Sequence, residues 1–505
     1  MTVVILKSGI FSIVNNELYY TFLQLSVLPV WQFSKYLFCL TLLILPFEQT
    51  FCDARPNIML ILLDDLGKEW VSAYGASDIE TPNIDELAAS GMRFENAWSM
   101  PQCTPSRLSI LTGQYPFRHG WVNHWDTPRW GDAYYDWRLN PSLARIMRDA
   151  GYNTVAAGKW QVNDFRIEPD VMVKHGFDDY AMWTGYETGN PPSAERYWDP
   201  YIHTKEGSKT YEGVYGEDFF TQFILDFITK NRDSPWFAYY PMNLPHEPFV
   251  NSPLEPKAEG VLGKHKAMVR YADFLLGKII DHLEEINELD NTIIIWTTDN
   301  GTHGALKGKL NGRIVRGGKQ KITENGINAP FIVYGKELVP HGVVTDALVD
   351  FTDFLPTFVQ LAGAKIPEDI AFDGESFADL ILGKSNDSPR KYIVSMGGLN
   401  EAERSDKGVE NAFVFRNRVI RNKRYKLYAN SSPEYGLDKL IDLKNDPEEQ
   451  KNIILSEDEH IVQIVGTFSN ILKQMSPKDN DPIYTRRDPN PWDVEVSVKS
   501  QVWKQ

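Results

Sequence analysis

The residues of this chain best suited to chemistry lie in one short segment that contains a cysteine and an arginine. The segment runs Cys103-Thr104-Pro105-Ser106-Arg107 and continues to Gly113. Thr104 as a cap, Pro105 at the first helical position and Gly113 as a stop predict a short helix beginning just after Cys103. Backbone N–H groups at a helix start favour an anion, and Arg107 adds a forked donor suited to sulfate or phosphate. The segment predicts an anion site beside a thiol, although an inert buried cysteine would give the same pattern.

Acidic and amide side chains follow two largely apolar runs elsewhere in the chain. Ile58–Leu63 is followed by Asp64 and Asp65, and Asn291–Thr298 is followed by Asp299 and Asn300. Such runs are typical of strands buried on both faces of a parallel sheet, and ligands bind at the carboxyl ends of these strands. Adjacent carboxylates repel each other unless a cation lies between them, and oxygen ligands suit Ca²⁺ or Mg²⁺ rather than Zn²⁺. We predict a hard-cation site from these four polar residues, with solvated acids at strand ends as the alternative.

Three further side chains are candidates because of where the predicted elements end. Lys159 ends a predicted strand from Asn153, His246 follows a predicted strand at Pro235–Tyr240, and Lys319 follows two glycines. Each has an ordinary structural explanation when it is taken alone. Lys159 could be a solvated charge, His246 a structural histidine and Lys319 part of a flexible loop.

Several of these motifs together resemble the sulfatase family. Cys103, Pro105, Arg107, Thr112 and Gly113 match its pattern Cys-x-Pro-x-Arg, four residues, then Thr-Gly. The run from Thr81 to Ala97 is similar to the family's "TPN-D-LA-GM-F-NA" string, and the segment around His246 to its "N-PH-P" string. The stretch from Gly317 to Pro330 resembles "GGK…EGG-R-P", with Asn325 and Asn328 as departures.

The resemblance implies a mechanism and a set of site residues. In the family the cysteine is oxidised to formylglycine, whose hydrate is the nucleophile, so Cys103 would supply it after conversion by a maturase enzyme. One calcium ion would be bound by Asp64, Asp65, Asp299, Asn300 and the modified Cys103. Arg107, Lys159 and Lys319 would hold the sulfate, and His246 would contact the sulfate and help the leaving oxygen.

Gln161 departs from the family pattern. Sulfatases usually have Gly-Lys-Trp-His where this chain has Gly158-Lys159-Trp160-Gln161. The family histidine is assigned to proton removal when the sulfo-enzyme intermediate breaks down. A glutamine amide can hydrogen-bond the hydrate and substrate but cannot take a proton at neutral pH. Either another group acts as the base, with His246 and His303 as the candidates, or that step is slower.

Length and composition bound the fold. The chain has 505 residues, 42% hydrophobic and 24% charged, which is typical of a globular protein large enough for two structural units. We predict an α/β fold with a large, mixed but mostly parallel sheet flanked by helices over residues 55–390. Residues 391–505 are expected to form a smaller antiparallel sheet with a helix, and a tail. The stretch from His175 to Pro200 is predicted to be surface loops.

The N-terminal residues 1–54 are interpreted as a leader. The apolar run Tyr36–Phe47 suits a signal-peptide core near residues 35–54 and is short for a membrane span, so we expect an exported protein. A membrane would be contacted only through an uncleaved leader. Removal of the leader takes away Cys39 and Cys52 and leaves Cys103, and an exported protein with one unpaired thiol is unusual unless the thiol is modified.

The substrate is predicted less sharply than the chemistry. A net charge of −16 argues against binding nucleic acid and requires local positive charge for an anionic substrate. Export and the aromatic segment Trp121–Trp137 favour a carbohydrate sulfate. Three alternatives stay open: a phosphodiesterase or phosphonate monoester hydrolase of the same fold, a noncatalytic sulfated-glycan binder, and an inactive form with an unconverted cysteine.

Overall fold

The computed structural model describes a large central part of the chain. The described residues are 55–121, 135–183, 185, 187, 190–368, 370–397, 402–405, 408–411, 417–429 and 437–476. The predicted leader, most of the aromatic segment between 122 and 134, and the tail from 477 lie outside them. Among the helices of the described residues, none is both long enough and apolar enough to cross a membrane.

Strands and helices alternate along the first two thirds of the chain. The strands are β1 (Asn57–Leu63), β2 (Met92–Trp98), β3 (Asn153–Lys159), β4 (Asp179–Trp183), β5 (Tyr201–Thr204), β6 (Gly207–Thr210), β7 (Trp236–Pro241), β8 (Thr292–Thr298), β9 (Lys307–Leu310), β10 (Arg313–Arg316), β11 (Phe331–Tyr334), β12 (Val343–Asp350), β13 (Ile393–Met396), β14 (Ala402–Ser405), β15 (Gly408–Asn411), β16 (Arg418–Arg421), β17 (Tyr425–Ala429) and β18 (Leu437–Asp442). The α-helices are α1 (Pro82–Ala89), α2 (Cys103–Thr112), α3 (Pro116–His119), α4 (Leu143–Asp149), α5 (Val171–His175), α6 (Gly216–Asn231), α7 (Gly260–Glu285), α8 (Glu324–Ile327), α9 (Phe354–Leu361), α10 (Ala378–Ile381) and α11 (Glu459–Gln474).

Ten strands form one central sheet. Their order is β12-β2-β11-β8-β1-β7-β3-β4-β5-β6. The five strands β8, β1, β7, β3 and β4 are neighbours and run parallel, whereas β11, β5 and β6 pair antiparallel. The predicted mixed, mostly parallel sheet is confirmed.

Helices cover both faces of this sheet. In β1, Ile58, Leu60 and Leu62 pack into one hydrophobic cluster and the alternate residues pack into another. The first cluster includes apolar residues of α2, α4 and α9, and the second includes those of α1, α6 and α7. Burial on both faces explains why the central strands are continuous apolar runs rather than alternating ones.

A second, four-stranded antiparallel sheet with order β13-β16-β17-β18 lies in the C-terminal part, with helix α11 packed on it. This agrees with the prediction of a smaller antiparallel sheet and a helix. The second sheet also contacts the segment before α2, because Ser395 Oγ donates to the carbonyl of Ser99 at 2.8 Å and Met396 packs in one cluster with Met100. The C-terminal part therefore supports the loop that precedes Cys103.

The prediction of surface loops between His175 and Pro200 is wrong in its first part. His175 is fully buried, and β4 extends the parallel part of the central sheet beside β3, with Lys159 opposite Trp183. Strand β4 is short and is followed by glycines and prolines, so local composition resembles a loop. Tertiary pairing with β3 decides its conformation.

Candidate active site

The parallel strands bring the candidate residues to one edge of the sheet. Strands β8, β1, β7 and β3 are adjacent in that order. Asp299 follows β8, Asp64 follows β1, the loop with His246 follows β7, and Lys159 is the last residue of β3. Since the carboxyl ends of parallel strands face the same way, residues far apart in sequence meet at this edge.

Helix α2 brings Cys103 to the same edge. Cys103 is the first residue of α2, and Gln102 rather than Thr104 occupies the cap position. The predicted cap was thus two residues too far along the chain. Gly113 ends the helix in a left-handed conformation with φ of 68°, as predicted. Ser106 Oγ donates to the carbonyl of Gln102 at 2.8 Å, which links the first turn of the helix to the preceding loop.

Cys103 is a buried free cysteine next to two carboxylates. One ligand atom each of Cys103, Asp64 and Asp299 lie within 4.8 Å of one another, and a second such group consists of Asp64, Asp65 and His246. Two buried oxygens at this place, Oδ1 of Asp64 and Oδ1 of Asn300, have no hydrogen-bond partner among the residues that the structure describes. Buried acceptors without a donor are costly, and a hard cation is what they fit. The residues present could hold a calcium ion.

Arg107 projects from α2 into the carboxylates. Its Nε and Nη2 donate to Oδ2 of Asp299 at 2.9 and 2.7 Å, and its Nη2 lies 3.7 Å from Oδ2 of Asp64. Both side chains of the Arg107–Asp299 pair are almost fully buried. The guanidinium therefore fixes the position of Asp299 and links α2 to the end of β8.

Two lysines contact the aspartates that follow β1. Lys159 Nζ lies 2.5 Å from Oδ2 of Asp64, and Lys319 Nζ lies 2.6 Å from Oδ2 of Asp65. Asn300 Nδ2 donates to the other oxygen of Asp65 at 2.6 Å. Lys159, Lys319 and Arg107 thus place three positive charges among the three carboxylates of Asp64, Asp65 and Asp299.

His246 lies between Lys319 and the backbone of its own loop. Its Nε2 is 2.9 Å from Lys319 Nζ and 3.5 Å from Oδ2 of Asp65, while its Nδ1 is 2.6 Å from the carbonyl oxygen of Glu247. A carbonyl can only accept, so we assign the proton to Nδ1 and the lone pair to Nε2. Burial, reinforced by the charge of Lys319, keeps the pKa of His246 well below its ordinary value. The imidazole is therefore neutral.

The pKa values of the buried carboxyl groups of Asp64 and Asp299 shift in opposite directions. Burial disfavours a charge on Asp64, yet Lys159 and the other cations around it hold its pKa below the ordinary value. Burial and the neighbouring charge of Asp64 raise the pKa of Asp299 to about 7, against the opposing effect of Arg107. The raised pKa of Asp299 reflects carboxylates packed closely together, and an added cation would lower it.

Gln161 sits near this edge in an unusual backbone conformation. Its φ of 54° lies in the left-handed region, which bulky side chains rarely adopt. The residue is buried, and its side chain packs against the backbone of Gly185. The other candidate base, His303, is more exposed, and its Nε2 lies 3.6 Å from Oε2 of Glu247. The structure thus brings His246 into the cluster and leaves His303 paired with Glu247.

Two residues near His246 are absent from the sequence predictions. The buried carboxylate of Glu217 accepts from the backbone N–H of Asn243 at 2.7 Å and from the hydroxyl of Tyr240 at 2.9 Å. Arg196 donates to the carbonyl of Glu247. Both therefore hold the loop that carries His246. Neither lies in a motif, and only the aromatic neighbours of Arg196 hinted at a packed rather than solvated arginine.

The fold and the site define a class of hydrolase, and comparisons identify the family. Residues 56–364 match the family model described as Sulfatase, and residues 318–478 match that of N-sulphoglucosamine sulphohydrolase, C-terminal. The chain is 30% identical over 367 residues to human N-acetylgalactosamine-6-sulfatase, covering 67% of this chain and 68% of the relative. The chain belongs to the sulfatase family, and the enzyme is a sulfuric ester hydrolase.

Solved structures share the fold. Ps i-CgsB, crystallised in complex with k-i-k-neocarrahexaose, superposes with a TM-score of 0.69 at 24% identity, covering 87% of this chain and 97% of that one. A second protein, in complex with its substrate D-glucosamine-2-N,6-O-disulfate, superposes with a TM-score of 0.63 at 20% identity, covering 85% of this chain and 99% of that one. At these identities the likeness supports the fold alone.

Proposed function

We propose that this enzyme hydrolyses the sulfate ester of a sulfated carbohydrate with a formylglycine nucleophile made from Cys103 by a maturase. The observation that supports this most is the position of Cys103, whose Sγ is one of three ligand atoms within 4.8 Å together with those of Asp64 and Asp299. A thiol here has no disulfide partner among the described residues and lies beside oxygens that suit a cation.

The proposed calcium ligands are Asp64, Asp65, Asp299, Asn300 and the modified Cys103. The unpartnered Oδ1 atoms of Asp64 and Asn300 support this assignment. Bound calcium would supply positive charge that offsets the charge developing on sulfate oxygens. Arg107 orients Asp299, and Lys159 and Lys319 bind the sulfate, since each ammonium reaches the cluster.

In the proposed first step, one hydroxyl of the formylglycine hydrate attacks sulfur, and the bond from sulfur to the alcohol oxygen breaks. His246 is assigned to the leaving oxygen. Donation requires a proton on Nε2, and the attacking hydroxyl gives up its proton to the lone pair of Nε2 as the new bond to sulfur forms. The second hydroxyl then loses its proton as sulfate is expelled and the aldehyde returns. Gln161 can orient the hydrate or the substrate but not accept that proton, so His246 or His303 must do so.

Two further proposals concern the domain boundaries of the chain and its export. Residues 55–390 form the catalytic unit and 391–505 a subdomain with a tail, supported by the separate four-stranded sheet. Residues 1–54 act as an export leader, on the evidence of the apolar run Tyr36–Phe47. Export would bring the enzyme to extracellular or periplasmic sulfated glycans.

The test is turnover by protein coexpressed with a maturase. Substrates are 4-nitrophenyl sulfate, sulfated hexosamines such as N-acetylgalactosamine 6-sulfate, and bis(4-nitrophenyl) phosphate. We expect release of inorganic sulfate and a higher kcat/KM for the sulfate esters. Preference for the phosphate diester would favour a phosphodiesterase. Binding of sulfated glycan without turnover, in protein that carries formylglycine, would favour a glycan-binding protein.

A further inference from the structure

Arg196 is a buried arginine at the edge of the sheet that carries the active site. Only 4% of its surface is exposed. Its guanidinium carbon lies 4.4 Å from the ring centroid of Trp183 and 5.4 Å from that of Tyr197. Trp183 ends β4, directly beside Lys159 at the end of β3. The guanidinium is thus held one strand beyond the lysine proposed to bind sulfate.

The hydrogen bonds of Arg196 leave much of the guanidinium unused. Its Nη2 donates to the carbonyl of Glu247 and lies 3.2 Å from Nδ1 of His246. Its Nε is buried and has no hydrogen-bond partner in the described part of the chain. Within the described residues no carboxylate forms an ion pair with it. Three other buried arginines do have one: Arg107 pairs with Asp299, Arg390 with Asp353 and Arg421 with Glu324.

A buried guanidinium without a carboxylate is costly, because burial removes the water that would solvate its charge. Stacking on Trp183 fixes the plane of the group and offsets part of this cost. The guanidinium lies beside Nδ1 of His246, and the other ring nitrogen of His246 contacts Lys319. One imidazole ring therefore separates Arg196 from Lys319, a residue proposed to bind the sulfate.

We propose that Arg196 binds a second anionic group of the substrate, either a carboxylate or a second sulfate, next to the sulfate that is hydrolysed. The planar guanidinium suits both groups, since each offers oxygens to a pair of N–H donors. The enzyme would then prefer polyanionic sugars over esters with a single charge. This inference rests on the proposed sulfatase function and specifies its substrate class.

The experiment compares matched substrates with one and two charges. Turnover of N-acetylgalactosamine 6-sulfate is compared with that of the 4,6-disulfate, and a monosulfated hexosamine–hexuronate disaccharide with its carboxyl-reduced form. Each is measured for the wild type, Arg196→Met, Arg196→Lys and the control Arg118→Met, whose arginine pairs with Asp373. Turnover of 4-nitrophenyl sulfate reports the basic sulfatase activity separately.

The wild type is expected to prefer at least one of the doubly charged substrates over its matched ester. Arg196→Met should lower kcat/KM for that substrate about 10- to 100-fold more than for the singly charged ester, mainly through KM. Arg196→Lys should recover part of the preference, and Arg118→Met should retain it.

The anion is a sulfate if Arg196→Met loses the preference for the disulfate, and a carboxylate if it loses the preference for the disaccharide with an intact carboxyl group. Equal losses for all substrates would overturn the proposal and assign Arg196 to bracing the loop of His246. A wild type that turns over singly charged esters equally well would overturn it without any variant. If no sulfate ester is turned over, the proposed function itself fails.

Discussion

Two nitrogens of Arg107 donate to the same carboxylate oxygen of Asp299, at 2.9 and 2.7 Å. This contact connects α2 to the residue that follows β8. The sequence predicted Arg107 as a ligand of sulfate. The structure gives two of its donor nitrogens to a residue proposed to bind calcium, and Nη1 lies 3.4 Å from the carbonyl of Lys159. Arg107 thus orients a carboxylate of the proposed metal site instead of leaving all its donors free for sulfate.

Arg107→Ala should therefore lower stability as well as activity. Removing one partner of a buried ion pair leaves an uncompensated charge and costs about 3–5 kcal/mol. The control is Arg148→Ala, because Arg148 lies 3.9 Å from Asp149 in an exposed pair and should change stability by at most about 0.5 kcal/mol. Urea denaturation measures both. Wild-type stability in Arg107→Ala would contradict the role given to the Arg107–Asp299 pair.

Calcium should stabilise the folded enzyme, and the gain in the free energy of unfolding should grow with the logarithm of its concentration above the dissociation constant. A ligand that binds only the folded state adds about 2.7 kcal/mol at one hundred times its dissociation constant. We expect chelation to lower Tm and abolish turnover, and added Ca²⁺ to restore both. Asp64→Asn should weaken the Tm response, whereas Asp233→Asn, at an exposed site, should retain it. A Tm indifferent to calcium in the wild type would argue against the ion.

Gln161→His should speed the breakdown of the covalent intermediate. An imidazole can accept the proton that an amide cannot, and a positioned base contributes about 10²–10⁴-fold to a rate. We expect kcat for 4-nitrophenyl sulfate to rise by about tenfold or more and KM to rise with it, because kcat/KM reports the earlier attack on sulfur. Gln161→Asn, which introduces no base, is the control. An unchanged kcat in Gln161→His would mean that His246 or His303 already serves, and His303→Ala would then separate these two.

Glu217 should make the stability of the enzyme depend on pH. Burial raises the pKa of this carboxyl from 4.5 to about 7, although its hydrogen bonds oppose the shift. Between these pH values the folded state holds a proton that the unfolded state has lost, so stability falls as pH rises. The loss amounts to about 3 kcal/mol between pH 4.5 and pH 7 and does not grow above that range.

Glu217→Gln, which imitates the protonated carboxyl, should flatten this dependence. Urea unfolding at pH 5 and pH 8 measures it, with Glu212→Gln at an exposed position as the control. Relative to the wild type, the free energy of unfolding of Glu217→Gln should be higher at pH 8 than at pH 5. Parallel curves for the two proteins would show that Glu217 does not titrate in this range.

The sequence predicted the parts of the fold that local pattern determines. Continuous apolar runs ending at Asp64, Asp299 and Lys159 are strands buried on both faces, and their polar ends meet because parallel strands share an edge. The position of β4 depends on pairing with β3, which no local pattern reveals. Arg196 was missed for the same reason, since its importance comes from Trp183 and His246 rather than from its neighbours in sequence.

The central claim is that Cys103 becomes a formylglycine. Mass spectrometry of the peptide containing Cys103, from protein made in its native host or with a maturase, tests this directly. We expect the mass of the aldehyde or its hydrate at this position, together with turnover of sulfate esters. An intact thiol in protein prepared in this way would contradict the mechanism and leave a noncatalytic sulfated-glycan binder as the better account.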